Sequence, residues 1–163
     1  QNMTVELDNS SSFLCVDLVR LGRTAAGEKL GCGVWRSSLE IFRESSQGKQ
    51  YEFSDRLELS GNALESIHGL DDQPVFGSLT WVTPKGTNKQ ALSKLLEECR
   101  QRREGLEGFM TCSLLNNGIS ARYRGSSTQS ARFWFYRIWG LTRVLRKSSI
   151  PDYMRIWPMQ ENA

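Results

Sequence analysis

Apolar and polar residues alternate in short blocks along this chain, and the period of the alternation sorts most of it into elements. Trp35, Ser37, Leu39 and Ile41 interleave with Arg36, Ser38 and Glu40. Beyond Ser45-Ser46-Gln47-Gly48-Lys49, the residues Tyr51, Phe53, Asp55, Leu57 and Leu59 interleave with Glu52, Ser54, Arg56 and Glu58. Period two on both sides of a glycine-containing turn predicts a β-hairpin, 33–43 with 51–60, that buries one face. Residues 13–21 and 75–82 read as further strands. A second hairpin, 109–115 with 119–124, is marked by Asn116-Asn117-Gly118, because an Asn-Gly step suits a turn with positive φ at both central positions. Arg122 and Arg124 then share one face of the second strand, with Ala121 and Tyr123 on the other.

Helical spacing is clearest where Ala91, Leu92, Leu95, Leu96 and Cys99 line one side and Lys94, Glu97, Glu98, Arg100, Arg102 and Arg103 the other. Thr87 and Gln90 form a capping pair, and the helix is predicted over 88–103. Asn62 followed by Glu65 starts a short helix that ends near Gly69. Residues 131–147 carry two periods. Trp134, Ile138, Leu141 and Leu145 fall on one helical stripe with Arg132, Arg143, Arg146 and Lys147 opposite, whereas the aromatics of 133–136 also suit a strand over 132–139. The helix is the preferred reading. Residues 1–11 are polar and read as a flexible tail, and 153–157 as a last short strand. The sum is an α+β fold, one compact domain over 1–163 with no linker, repeat or low-complexity tract.

Composition supports a globular domain. At 163 residues the chain is long enough to bury about two thirds of its unfolded surface. No apolar run reaches the ~18–20 residues that span a bilayer. The N-terminus lacks the basic region and apolar block of a secretory signal, so the sequons at Asn2 and Asn9 read as chance and a cytoplasmic setting is expected. Cys15, Cys32, Cys99 and Cys112 are widely spaced, which favours reduced thiols in a reducing compartment.

Charge changes the picture more. The net charge is +3, but residues 1–107 hold 13 Lys/Arg against 16 Asp/Glu, and residues 108–163 hold 8 against 2. Between Gly108 and Pro151 there are seven basic residues and no acid. Five of the seven residues 133–139 are aromatic, with Arg137 among them and Arg132 just before. Aromatic faces stack on unpaired bases while arginines neutralise phosphates. The same residue types seat at a lipid interface and meet anionic headgroups. The candidate anionic-partner site is therefore Arg122, Arg124, Arg132, Trp134, Tyr136, Arg137, Arg143, Arg146 and Lys147, with RNA or an anionic membrane surface as partner. Self-association is a third use of exposed Trp, Tyr and Arg. The plain structural alternative puts the aromatics in the core and the charges on a solvated rim.

Enzyme chemistry has little to work with. His68 is the only histidine, beside Gly69 at a helix end, and a hydrolase would have to use it with Asp71 or a cysteine. Asp71 and Asp72 are neighbours in a loop and point apart. One His and four isolated Cys do not make a zinc pattern. Gly31-Cys32-Gly33 lacks the rest of a phosphate loop. No cofactor, metal or small-molecule substrate is expected.

The organisation is loosely similar to small viral matrix or accessory proteins: a single β-rich domain, basic and aromatic, without a catalytic signature. That resemblance implies a non-enzymatic binding and assembly module on RNA or membrane. The alternative class is a protein–protein adaptor or inhibitor with its aromatics in the core.

Overall fold

A computed structural model of the chain describes residues 1–23, 26–28 and 33–150. The period-two blocks become the strands of its sheets. The first hairpin is β3, Val34–Ser45, antiparallel to β4, Gly48–Ser60, with Trp35 opposite Leu59 and Ile41 opposite Phe53. The N-terminal residues are not a loose tail. Met3, Val5 and Leu7 turn inward on alternate positions, and β1, Asn2–Leu7, pairs in parallel with β3. The order of this first sheet is β1-β3-β4. The second sheet is antiparallel, in the order β2-β5-β7-β6, and is built from β2, Phe13–Arg20, β5, Val75–Val82, β6, Phe109–Leu115, and β7, Gly118–Gly125.

Three helices join them among the described residues, so the α+β reading holds. The short helix α1 covers Asn62–Glu65, and Asn62 does not cap it; Gly61 occupies that position with no side-chain bond. The helix α2 covers Lys89–Gln101. Its cap is Asn88 rather than the Thr87–Gln90 pair: Asn88 Oδ1 accepts from the Gln90 and Ala91 amides at 2.7 and 3.3 Å. Thr87 instead donates its hydroxyl back to the Pro84 carbonyl at 2.8 Å. The ambiguous segment is helix α3, Thr128–Leu145, started by Ser127 accepting from the Ser130 amide at 3.1 Å. The predicted strand at 153–157, and Gly31 and Cys32, lie outside the described residues.

The second sheet forms the middle layer. Val75, Leu79 and Trp81 on one face of β5 pack with Leu92, Leu95 and Leu96 of α2 and with Trp134, Phe135 and Ile138 of α3. The alternate residues of β5 face the first sheet. Val82 packs with Leu7 and Ile41, and Phe76 with Leu59 and Leu70. The strand alternative over 132–139 fails and the preferred helix holds for this reason. Ala131, Trp134, Phe135, Ile138 and Thr142 must all reach one side, which a helix allows and an alternating strand does not. Gly77 allows the close approach, since a Cβ there would lie 2.7 Å from the Phe135 ring.

The 109–124 hairpin closes as predicted, but with different turn chemistry. Asn116 and Asn117 do not adopt positive φ; Gly118 does, at 151°. A Cβ on Gly118 would sit 1.9 Å from the Trp81 carbonyl oxygen, so glycine is required by proximity to β5 as well as by the turn.

Between the sheets the contact is partly ionic. Arg43 and Glu52 are 4% and 8% exposed, with Arg43 Nε donating to Glu52 Oε2 at 2.5 Å. The same guanidinium donates to the Asp8, Ser11 and Thr83 carbonyls. Glu52 also accepts from Asn117 Nδ2 at 2.8 Å. One side chain thus ties β3, β4, the β1–β2 turn and the end of β5.

Two stability predictions follow from this packing. Arg43→Leu leaves Glu52 buried without a counter-charge and is expected to cost about 3–5 kcal/mol in urea unfolding. A loss below about 1 kcal/mol would show that the cluster is solvated. Trp134→Ala empties a fully enclosed site and is expected to cost about 3–5 kcal/mol in the same measurement. An unchanged midpoint would return Trp134 to the surface.

Candidate interaction surface

The nine residues of the expected anionic-partner site do not form one surface. Arg122 and Arg124 project from β7 toward the first sheet, whereas Ala121 and Tyr123 project into the helix-side core. Helix α3 packs on that opposite side. The middle sheet therefore separates the two groups of charge.

Most of these side chains are also occupied by internal bonds. Arg122 donates to Asp55 Oδ1 at 2.5 Å and lies over the Phe76 ring. Arg124 donates to the Ile67 and Gly69 carbonyls at 2.7 Å each, faces Asp71 at 3.7 Å and stacks on Phe109. Trp134 is fully buried, and its indole N–H donates to the Cys99 carbonyl at 3.1 Å. Arg137 donates to the Arg102 and Glu104 carbonyls at 2.8 and 2.9 Å, just past the end of α2. Such carbonyls have no intrahelical donor, so Arg137 performs a capping task. Tyr136 and Arg132 are half-buried on α3, and the Tyr136 ring tilts against Trp139. Arg143 also lies over the Trp139 ring and donates to the Ser149 carbonyl at 2.6 Å. Arg146 and Lys147 are exposed at the end of the helix. Lys147 takes a left-handed φ of 56° there, and its amide bonds to the Val144 carbonyl.

The surface that does gather exposed apolar groups lies at the β4–β6 side. Leu57, Leu59, Phe76 and Leu70 form the floor of an open groove, with Arg122 and Arg124 along it. Its rim carries Ile67 at 66% and Phe109 at 56% exposure. Phe109 opens β6, the edge strand of the middle sheet, and its side chain is exposed. The loop from Ser66 to Gln73 forms the far wall, folded by bonds such as Asp71 N to Ser66 O at 3.0 Å and Asp72 N to Leu64 O at 2.9 Å. Asp71 and Asp72 both take left-handed φ, 54° and 56°, a backbone cost that this loop sustains. Sequence reasoning missed the groove because Ile67 stands alone in a loop and Phe109 opens a predicted strand far from it in the chain; only the third dimension brings them together.

Chemistry outside the groove is sparse. His68 is exposed on the groove loop. Among the described residues no three His, Cys, Asp or Glu side chains are placed to hold a metal ion. No described helix is long and apolar enough to cross a membrane.

Comparison with known proteins places the chain in a family. A family model for the UreD urease accessory protein matches residues 1–158. The urease accessory protein UreD of Prochlorococcus marinus strain NATL2A is 81% identical over 99% of this chain, which covers 53% of that relative. Those of Synechococcus sp. strain WH7805 and Parasynechococcus marenigrum strain WH8102 are 52% and 50% identical, with 51% and 52% of their lengths covered. The chain spans about half the length of the curated relatives it matches. These matches overturn the expectation of an RNA- or lipid-binding module of viral matrix type, whose physical basis, a shared basic aromatic face, is also absent from the fold. The chain belongs to the UreD urease accessory protein family.

Proposed function

We propose that this chain serves urease maturation as a non-catalytic, protein-binding part of a larger accessory protein, and that it acts in the cytoplasm. The observation that carries the reading is the β4–β6 groove, an open apolar surface on a chain whose family is named for assisting urease. Contiguous exposed apolar surface rimmed by polar groups marks protein contacts in soluble proteins. Partners are urease and the other accessory proteins of its assembly. The protein–protein reading, the alternative at the level of the sequence, takes precedence over the anionic-polymer one.

The basic residues divide between two roles in this reading. Arg122, Arg124 and Arg137 are posts that hold loops and helix ends. Arg146 and Lys147, exposed at the end of α3 and outside the groove lining, act at a distance through their charge and tune association rate more than affinity. Arg132, Tyr136 and Arg143 line the intervening helix surface.

The test uses the full-length protein and purified urease apoprotein in a binding titration. Ile67→Asp and Phe109→Asp are each expected to weaken capture by about tenfold or more, the scale of an interface hot spot. Arg132→Glu, on the other side of the middle sheet, is expected to change it by less than about twofold. Unchanged capture by both groove variants, with loss in Arg132→Glu, would reject the groove. A groove variant that shifts only the protein's own dimerisation would assign the surface to self-association.

A further inference from the structure

The Asn-Gly step of the second hairpin is held by the closed fold at both ends of the asparagine. Asn117 is half-buried, between the exposed Asn116 and the buried Gly118. Its side-chain nitrogen donates to Glu52 Oε1 at 2.8 Å. Its backbone oxygen accepts from the Thr83 amide at 2.9 Å and from the Thr83 hydroxyl at 3.3 Å. Gly118 stands in the sheet between Leu115 of β6 and Val82 of β5. Glu52 is buried, and its other oxygen is taken by Arg43. An ionised carboxylate only accepts hydrogen bonds, so the position facing it requires a donor, which an amide supplies and an acid does not.

We propose that Asn117 is a modification site: it deamidates when the tip of the β6–β7 hairpin opens, and Glu52 then prevents the product from closing as before. In the first step the Gly118 backbone nitrogen attacks Asn117 Cγ. The bond from Cγ to Nδ2 breaks, ammonia leaves carrying the proton that the Gly118 nitrogen gives up, and a five-membered imide forms. In the second step water adds to one of the two imide carbonyls and that carbonyl's bond to the Gly118 nitrogen breaks. Opening at Cγ gives an aspartate, and opening at the backbone carbonyl gives an isoaspartate linked through Cγ. One water is consumed and one ammonia is released, with nothing oxidised or reduced.

The sequence supplies the reactivity and the fold supplies the gate. Glycine carries no Cβ to shield its nitrogen or restrict its backbone. In the closed hairpin the bonds to Glu52 and Thr83 fix both ends of Asn117, so Cγ cannot swing onto the Gly118 nitrogen. The strand β6 is an edge strand bonded only to β7, and such margins open locally more often than the whole domain unfolds. Closure after the reaction meets a like charge, because the new carboxylate faces Glu52 and the two acids share the single cation Arg43. The isoaspartate also lengthens the backbone beside Gly118, where even a Cβ would lie 1.9 Å from the Trp81 carbonyl oxygen. Asn116 is the contrast within the same turn, since it is exposed but is followed by a residue with a side chain.

The experiment incubates the protein in warm, mildly alkaline buffer, folded and in urea, and follows deamidation by tryptic mass spectrometry. The tryptic peptide 104–122 carries Asn116 and Asn117 and no other asparagine, so fragmentation assigns the site. Conversion at Asn117 to aspartate and isoaspartate is expected in both samples, at least about tenfold slower in the folded one, with Asn116 left as the amide. Equal rates in the two samples, or conversion at Asn116 first, would overturn the proposal. The barrier to closure is read separately in urea unfolding. Asn117→Asp is expected to lower the midpoint, and Asn117→Asp combined with Glu52→Gln, which exchanges the amide and the acid, to recover part of that loss. A double variant no more stable than Asn117→Asp overturns the role of Glu52. Should Asn117→Asp not fold, a folded double variant supports that role and an unfolded one overturns it.

Discussion

Arg43 sits between two β-sheets where water does not reach it, and a guanidinium in that position must have each of its three nitrogens engaged. Its bonds to Glu52 and to the Asp8, Ser11 and Thr83 carbonyls meet that demand. They also dictate where four chain segments lie. The sheets cannot slide past each other without stranding a buried charge, which costs more than an apolar contact of similar size. Around this point the inter-sheet layer grades outward from apolar contacts at Ile41 and Val82 to polar ties such as Arg122 to Asp55. The opposite face of the middle sheet is packed by α2 and α3 with large apolar side chains. The molecule therefore has a dry helix-side core and a mixed inter-sheet core.

That division explains what the acid-free stretch does. Its arginines lack acidic neighbours in sequence because their partners come from elsewhere. Arg122 takes Asp55 from β4, Arg124 takes carbonyls of the 66–73 loop, and Arg137 takes those beyond α2. Planar guanidinium groups suit such multiple carbonyl contacts better than ammonium groups. Charge segregated along a chain is here redistributed by folding, and only the end of α3 keeps its basic residues exposed.

Much of the architecture was legible beforehand. The 34–60 hairpin, the strand 75–82 and the helix at 89–101 follow from period and turn residues alone. The strand β1 was not, because Thr4 and Glu6 between its inward residues gave a polar appearance, and its partner β3 lies more than thirty positions away. The 131–147 segment carried both periods; the preferred helix holds because the burial of Ala131, Trp134, Ile138 and Thr142 requires it, although the aromatics favour a strand locally. Of the candidate site, the residue types were legible but their destinations were not. Whether an arginine meets phosphate or a neighbouring carbonyl depends on contacts tens of residues apart. The groove rim had no shared signal, since Ile67 falls in a loop and Phe109 at the start of a strand. The family relation, rather than any charge pattern, corrected the functional reading.

The central claim is that partners meet the β4–β6 groove and not the basic aromatic helix. Hydrogen–deuterium exchange of the full-length protein, alone and saturated with urease apoprotein, tests it most directly. The account predicts slowed exchange in the 66–73 loop and in the outer edge of β6, with α3 unchanged. Protection confined to 132–147, with the groove exchanging as in the free protein, would contradict it.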